Sequence, residues 1–202
     1  MRALWIIILI AGCGFHSPPG TATASDAAPG TDNPGSGQCP ASYNVSATKL
    51  PGPSRYRLII DGHRAWEQSD DCNDDLPGST HLVVIETKIE FDDISAYIRP
   101  GLGTAGDSVW IGAVQLPIAA AVGADWLGFD GNPLFNGWGG SEPNDNNDNN
   151  ELNHDEQFVR MTRTQPPYFI DDGGQKNYGA ICECDGKPIA ATVATAINGY
   201  RL

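Results

Sequence analysis

Four cysteines, Cys39, Cys72, Cys182 and Cys184, bracket almost everything in this chain that has the composition to fold. In an exported protein an even set of cysteines is a disulfide framework, so the fold has to accommodate two cross-links. Four cysteines admit three pairings, and the sequence alone does not choose among them. Their scattered positions contain no C-x₂-C knuckle, which argues against a cysteine-bound zinc. The fifth cysteine, Cys13, sits apart from these, at the end of an N-terminal targeting segment.

That segment starts with Arg2 and continues as an apolar run, Ala3 to Ala11, too short to span a bilayer but of the right length for a signal-peptide core. Its end, Leu9-Ile10-Ala11-Gly12-Cys13, resembles a bacterial lipobox, in which the cysteine is lipid-modified and becomes the first mature residue. Residues 1–12 are therefore read as a lipoprotein signal peptide and Cys13 as the lipidation site, with attachment to the membrane by lipid only. Gly14 after the cysteine favours the outer membrane or cell surface. Residues 13–38 are the lipidated cysteine and a Gly/Pro/Ser/Thr/Ala/Asp-rich tether that cannot bury enough apolar surface to fold. That leaves one domain, 39–186, and a mildly apolar tail, 187–202, without a structural assignment. With Lys+Arg 12 against Asp+Glu 25 the net charge is −13, which argues against a nucleic-acid partner and fits carboxylates awaiting a cation.

Within the domain, Tyr56–Ile60 reads as a strand. Arg64–Asn73 reads as a helix, with Ala65, Trp66, Ser69 and Cys72 at helical spacing, and Leu82–Ile85 as a short buried run. Thr87–Ile98 is a second amphipathic helix with Ile89, Ile94, Tyr97 and Ile98 on one face, stopped by Pro100-Gly101. Val109–Gly112, Phe158–Met161 and Tyr178–Glu183 read as strands. From Gly123 to Asn153 the chain is dense in Gly, Asn, Asp and Pro, yet carries Trp126, Phe129, Phe135 and Trp138; a long loop pinned by aromatics fits this better than disorder.

Inside that loop, Trp138-Gly139-Gly140-Ser141-Glu142-Pro143-Asn144 sets a carboxylate and a carboxamide on either side of a proline, and Asp145, Asp148 and Glu151 follow. Clustered oxygens are what a hard cation such as Ca²⁺ requires. The plainer alternatives are turn residues for Glu142 and Asn144 and a solvated charge run for Asp145, Asp148 and Glu151.

As a set, these residues resemble the C-type lectin-like domain over about Cys39 to Cys184. The correspondence lies in Trp66 and Cys72 on the first helix, Trp110-Ile111-Gly112 in a core strand, Trp126, Asp130-Gly131, Pro133-Leu134 and Trp138 in the long loop, Glu142-Pro143-Asn144 as the mannose-type calcium motif, and Ile181-Cys182-Glu183 in the last strand. The resemblance implies an α+β fold in which two helices flank small antiparallel sheets and the long Gly/Asn/Trp-rich loop carries the site. It implies disulfides Cys72–Cys182 and Cys39–Cys184, with Cys182 and Cys184 on one strand face, and a cis Glu142–Pro143 bond. The family's second core disulfide is missing: its cysteines would fall near Phe158 and Gly174. Its last ligand pair, an asparagine followed by an aspartate, falls on Ile170 and Asp171 by one register and on Asp171 and Asp172 by a one-residue shift.

The function that follows from the resemblance is Ca²⁺-dependent binding of glycans with equatorial vicinal hydroxyls, of the mannose, glucose or fucose type. Glu142, Asn144, Glu156 and Asp171 or Asp172 would hold the ion, and Glu142, Asn144 and Glu156 would also bond the sugar hydroxyls. Asp145 is a candidate for an accessory calcium. Its upstream partners are absent, because the matching stretch, Ala113 to Ile118, carries no acid. A calcium-independent domain of the same shape that binds surface proteins of other cells is the alternative. An enzyme is not indicated: there is no G-x-S-x-G and no H-E-x-x-H, and of the histidines only His154 beside Asp155 makes a suggestive pair.

Overall fold

The computed structural model describes residues 39–46, 54–101, 107–119, 121–145 and 155–201. The signal peptide, Cys13, the tether, Asp148, Glu151 and His154 lie outside the described residues. In chain order the elements are β1 (Val45–Ser46), β2 (Arg55–His63), α1 (Ala65–Asp75), β3 (Thr80–Leu82), α2 (Lys88–Gly101), β4 (Ser108–Gln115), β5 (Trp126–Gly128), β6 (Phe158–Thr162), β7 (Phe169–Asp172), β8 (Tyr178–Cys184) and α3 (Ala191–Tyr200). Among the described residues no helix is long and apolar enough to cross a membrane.

The strands form one sheet in the order β1-β2-β8-β4-β6-β7, with β3 added on β8 and β5 on β4. All pairings are antiparallel except β4 with β8, where Val109 and Trp110 run parallel to Gly179 and Ala180. The expected small antiparallel sheets are thus a single mixed sheet. β4 shows why its sequence is a continuous apolar run: all eight residues are buried, because both faces are covered. Trp110 and Val114 pack into the cluster that takes in α1 and α3, while Val109, Ile111 and Ala113 pack into the one that takes in α2.

α1 buries Ala65, Gln68, Ser69 and Cys72, a stripe at i, i+3, i+4 and i+7. Glu67 reaches back to accept from Arg64 N at 3.0 Å, satisfying one of the donors left open at the helix start. Both disulfides implied by the resemblance are present. Cys72–Cys182 ties α1 to β8, and Cys39–Cys184 ties the start of the domain to the end of that strand.

Two helices were expected, and among the described residues there are three. The segment from 187 is not a loose tail: α3 buries Val193, Ala196 and Ile197 in the same cluster as Trp110 and Phe158. Ala190 N donates to Phe129 O at 2.8 Å, and the Tyr200 hydroxyl donates to Gln115 O at 2.9 Å.

That helix also helps fill the place of the missing disulfide. The Phe158 ring lies over Gly174, where an added Cβ would come within 2.5 Å of it. Trp66, Trp110 and Tyr200 surround the ring at centroid distances of 6.0, 6.5 and 6.0 Å. Gly174 has φ +74°, a left-handed conformation that suits glycine, so the ring and the bare backbone fit each other. Aromatic packing stands where the resemblance would put a covalent bond.

Candidate functional site

The site begins with the aromatic anchors of the long loop. Trp138 forms a parallel bridge to Phe169 of β7: Phe169 N donates to Gly137 O at 2.8 Å, and Gly139 N donates to Phe169 O at 3.2 Å. Trp138 also meets Trp126 edge-on at 5.0 Å and Phe169 at 5.9 Å. These are core contacts, as expected of Trp110, Trp126 and Trp138. They bring the loop alongside β7, so residues a few positions after Trp138 arrive beside residues a few positions after Phe169.

Those residues are Glu142, Asn144 and Asp171. A turn closes at Glu142, whose N donates to Gly139 O at 2.7 Å, and the Glu142–Pro143 peptide bond is cis. Asn144 N and Asp145 N both donate to Asp171 Oδ2, at 2.9 and 2.7 Å. The Asn144 amide donates to Glu142 Oε2 at 2.6 Å. Asp171 is 1% exposed; its other oxygen, Oδ1, is buried without an amide donor, and the Glu142 carboxyl hydrogen-bonds this aspartate.

Glu142 reports a shortage of positive charge. Burial, followed by the hydrogen bond and charge of Asp171 and the charge of Glu156, pushes its carboxyl up to about 8 against the pull of Arg160. The donors are hard oxygens from Glu142, Asn144, Glu156 and Asp171, a set suited to Ca²⁺. Among the described residues the three carboxylates do not all approach within 4.8 Å of one another, so closing on an ion requires side-chain rotation.

Of the two aspartates offered from the sequence, only Asp171 faces the loop. Successive strand residues point to opposite faces, and the Asp172 carboxylate is taken up by Arg160 Nε at 3.1 Å and Lys176 Nζ at 3.0 Å. Phe169 is buried in the core, Ile170 is half-buried, and Asp172 is corrected from candidate ligand to ion-pair partner. Asp145, offered for an accessory calcium, has a different engagement. At φ +47° and 1% exposed, its Oδ1 accepts from Asp155 N and Glu156 N, both at 3.2 Å. It staples the two ends of the 146–154 segment together and so sets the backbone at Glu156.

With this geometry in view, solved structures give the fold its place. The C-type lectin CEL-I from Cucumaria echinata superposes with a TM-score of 0.58 at 17% identity, over 72% of this chain and 96% of that one. The fold is that of a C-type lectin-like domain. The cow carbohydrate-recognition domain of CD23, solved in the presence of a GlcNAc2Man3 oligosaccharide, superposes with a TM-score of 0.53 at 20% identity, over 76% of this chain and 97% of that one. A calcium-independent type II antifreeze protein superposes with a TM-score of 0.52 at 21% identity, over 73% and 94%. No family model matches the chain, and no curated protein does.

Proposed function

We propose that this C-type lectin-like domain binds carbohydrate through Ca²⁺ held by Glu142, Asn144, Glu156 and Asp171, and that it is displayed on an exported lipoprotein anchored through Cys13. The observation that carries the reading is the crowded carboxylate pair: buried Asp171 hydrogen-bonded to Glu142, whose carboxyl is raised to about 8, so that without a metal the two share a proton. A bound Ca²⁺ would supply the missing positive charge and offer its remaining coordination positions to neighbouring sugar hydroxyls. Few groups would surround a single sugar, so useful retention depends on many copies at a surface.

Ile170 favours a second reading, the calcium-independent protein-binding domain, because it contributes no oxygen where the family's ligand pair would. Calorimetric titration with Ca²⁺, followed by retention on mannose-agarose with and without excess chelator, separates the two. Heat of binding together with chelator-sensitive retention supports the lectin. No calcium uptake together with no retention supports the alternative, and retention that ignores the chelator overturns the calcium part of the lectin reading.

Two further results are expected. Ile170→Asn should leave calcium affinity within about twofold by the same titration, because residue 170 shares the Asp172 face of β7, away from Asp171. The second concerns pH. The folded Glu142 carboxyl titrates near 8 against an ordinary value of 4.5, so the folded calcium-free state holds a proton that the unfolded state has lost. The contribution of Glu142 to stability should therefore fall as pH rises from about 4.5 through 8. Ca²⁺ needs the ionised form, so calcium affinity should rise over the same window. The difference in melting temperature between wild type and Glu142→Gln, followed against pH without calcium, isolates this group from the other buried acids.

A further inference from the structure

A second constellation lies elsewhere in the sheet and plays no part in the site above. His81 of β3 stands directly across from Glu183 of β8, and Asp185 follows β8 by one residue. One ligand atom from each, an imidazole nitrogen and two carboxylate oxygens, lies within 4.8 Å of the other two. His81 is 1% and Glu183 5% exposed, and the Asp185 side chain is 5% exposed. A buried group of this kind differs from the acidic clusters common on protein surfaces.

Each member is aimed by a fixed backbone group. His81 Nδ1 is 2.8 Å from Leu82 O, which can only accept, so that nitrogen carries the hydrogen and Nε2 is turned toward the carboxylates. Val84 N holds Glu183 Oε2 at 3.1 Å, and Lys187 N holds Asp185 Oδ1 at 2.8 Å. An imidazole whose far nitrogen is tied to a carbonyl, with carboxylates tied to amides, is the outer support that metal ligands generally have.

The charge balance points the same way. His81 Nε2 is 3.1 Å from Asp185 Oδ1, so something positive must lie between them, either a proton or a metal. Without a metal, an imidazolium and the Lys187 ammonium balance the Asp185 and Glu183 carboxylates, and a dication can take the place of both. Lys187 closes the cluster from outside, its Nζ 3.0 Å from Asp185 Oδ2 and 3.6 Å from Glu86 Oε1. That side chain is 55% exposed, so it can swing away and leave an entry path.

We propose that His81, Glu183 and Asp185 bind a transition-metal dication of the zinc class, independently of the calcium site. An imidazole nitrogen with two carboxylate oxygens suits Zn²⁺, whereas Ca²⁺ takes oxygens alone. Three protein ligands leave one tetrahedral position for water or an incoming group. The ion would clamp β3 to the turn between β8 and α3, a stabilising role.

The test uses the mature chain stripped with chelator and titrated with Zn²⁺ alone by calorimetry. One equivalent should bind, at least tenfold more weakly in His81→Gln and in Asp185→Asn, and unchanged in Glu142→Gln. No uptake by folded wild-type protein overturns the proposal, as does uptake that both cluster variants retain at full strength. Should neither variant fold, the wild-type nitrogen spectrum decides. Saturating Zn²⁺ must shift His81 Nε2 more than Nδ1, and an unmoved His81 overturns the assignment.

Discussion

Glu142→Gln should abolish retention on mannose-agarose and weaken calcium binding more than tenfold, with no loss of thermal stability in the calcium-free protein at neutral pH. The amide keeps the size and shape of the side chain and its bond from Asn144 Nδ2, but it removes one negative ligand, and affinity for Ca²⁺ follows ligand charge. Calcium-free stability should not fall at pH 7, because the folded glutamate has to hold a proton that the unfolded chain has lost, whereas the amide is neutral in both states. The advantage of the variant should grow as pH rises from about 4.5 and level off above 8. Calorimetry, column retention and a melting curve read the three parts. A variant held on the column as well as wild type would remove Glu142, and with it the calcium reading, from the mechanism.

Phe158→Ala should cost about 3–5 kcal/mol of folding stability, the range for truncating a buried aromatic, and lower the melting temperature by on the order of 10 °C. The ring is 2% exposed and is the common neighbour of Trp66, Trp110 and Tyr200, which belong to α1, β4 and α3. Removing it opens a cavity above Gly174 that the glycine has no side chain to fill. Calcium affinity should weaken as well, because Phe158 opens β6 two residues after Glu156 and pairs with Asp172 next to Asp171. Denaturant unfolding of the oxidised protein measures the first effect. A loss below about 1 kcal/mol would mean that the ring does not substitute for the absent disulfide.

The sequence made α1 and α2 legible because each carries an amphipathic stripe, although the buried face of α2 is Phe91, Ile94 and Ile98 and the expected Ile89 is 53% exposed, and it made β4 legible because both its faces are buried. It concealed α3. That helix is ten residues of mostly Ala, Thr and Asn, and its stripe of Val193, Ala196 and Ile197 is too short to stand out from an apolar tail. The pairings of the four cysteines were read through the resemblance and agree with the structure. In the site, Glu142 and Asn144 could be read from a local motif, since both lie within one turn. The choice between Asp171 and Asp172 could not, because it depends on which face of β7 meets the loop. The closing role of Asp145 rests on two backbone amides ten and eleven residues away, brought near only by the return of the loop. His81 and Glu183 are likewise separated by a hundred residues of chain and become neighbours only through the β3–β8 register.

For the function proposed above, a domain tethered on its N-terminal side that holds a glycan, the Cys39–Cys184 bond would have a mechanical consequence. β1 and β7 are the two outermost strands of the path, and of the proposed calcium ligands Asp171 lies on β7. Tension entering at Cys39 passes straight through sulfur into β8, which is flanked by β2, β3 and β4 and cross-linked again to α1 through Cys182. The hairpin of β1 and β2 is thereby spared from being unzipped one hydrogen bond at a time. The load would be shared at once by the hydrogen bonds β8 makes to three neighbouring strands.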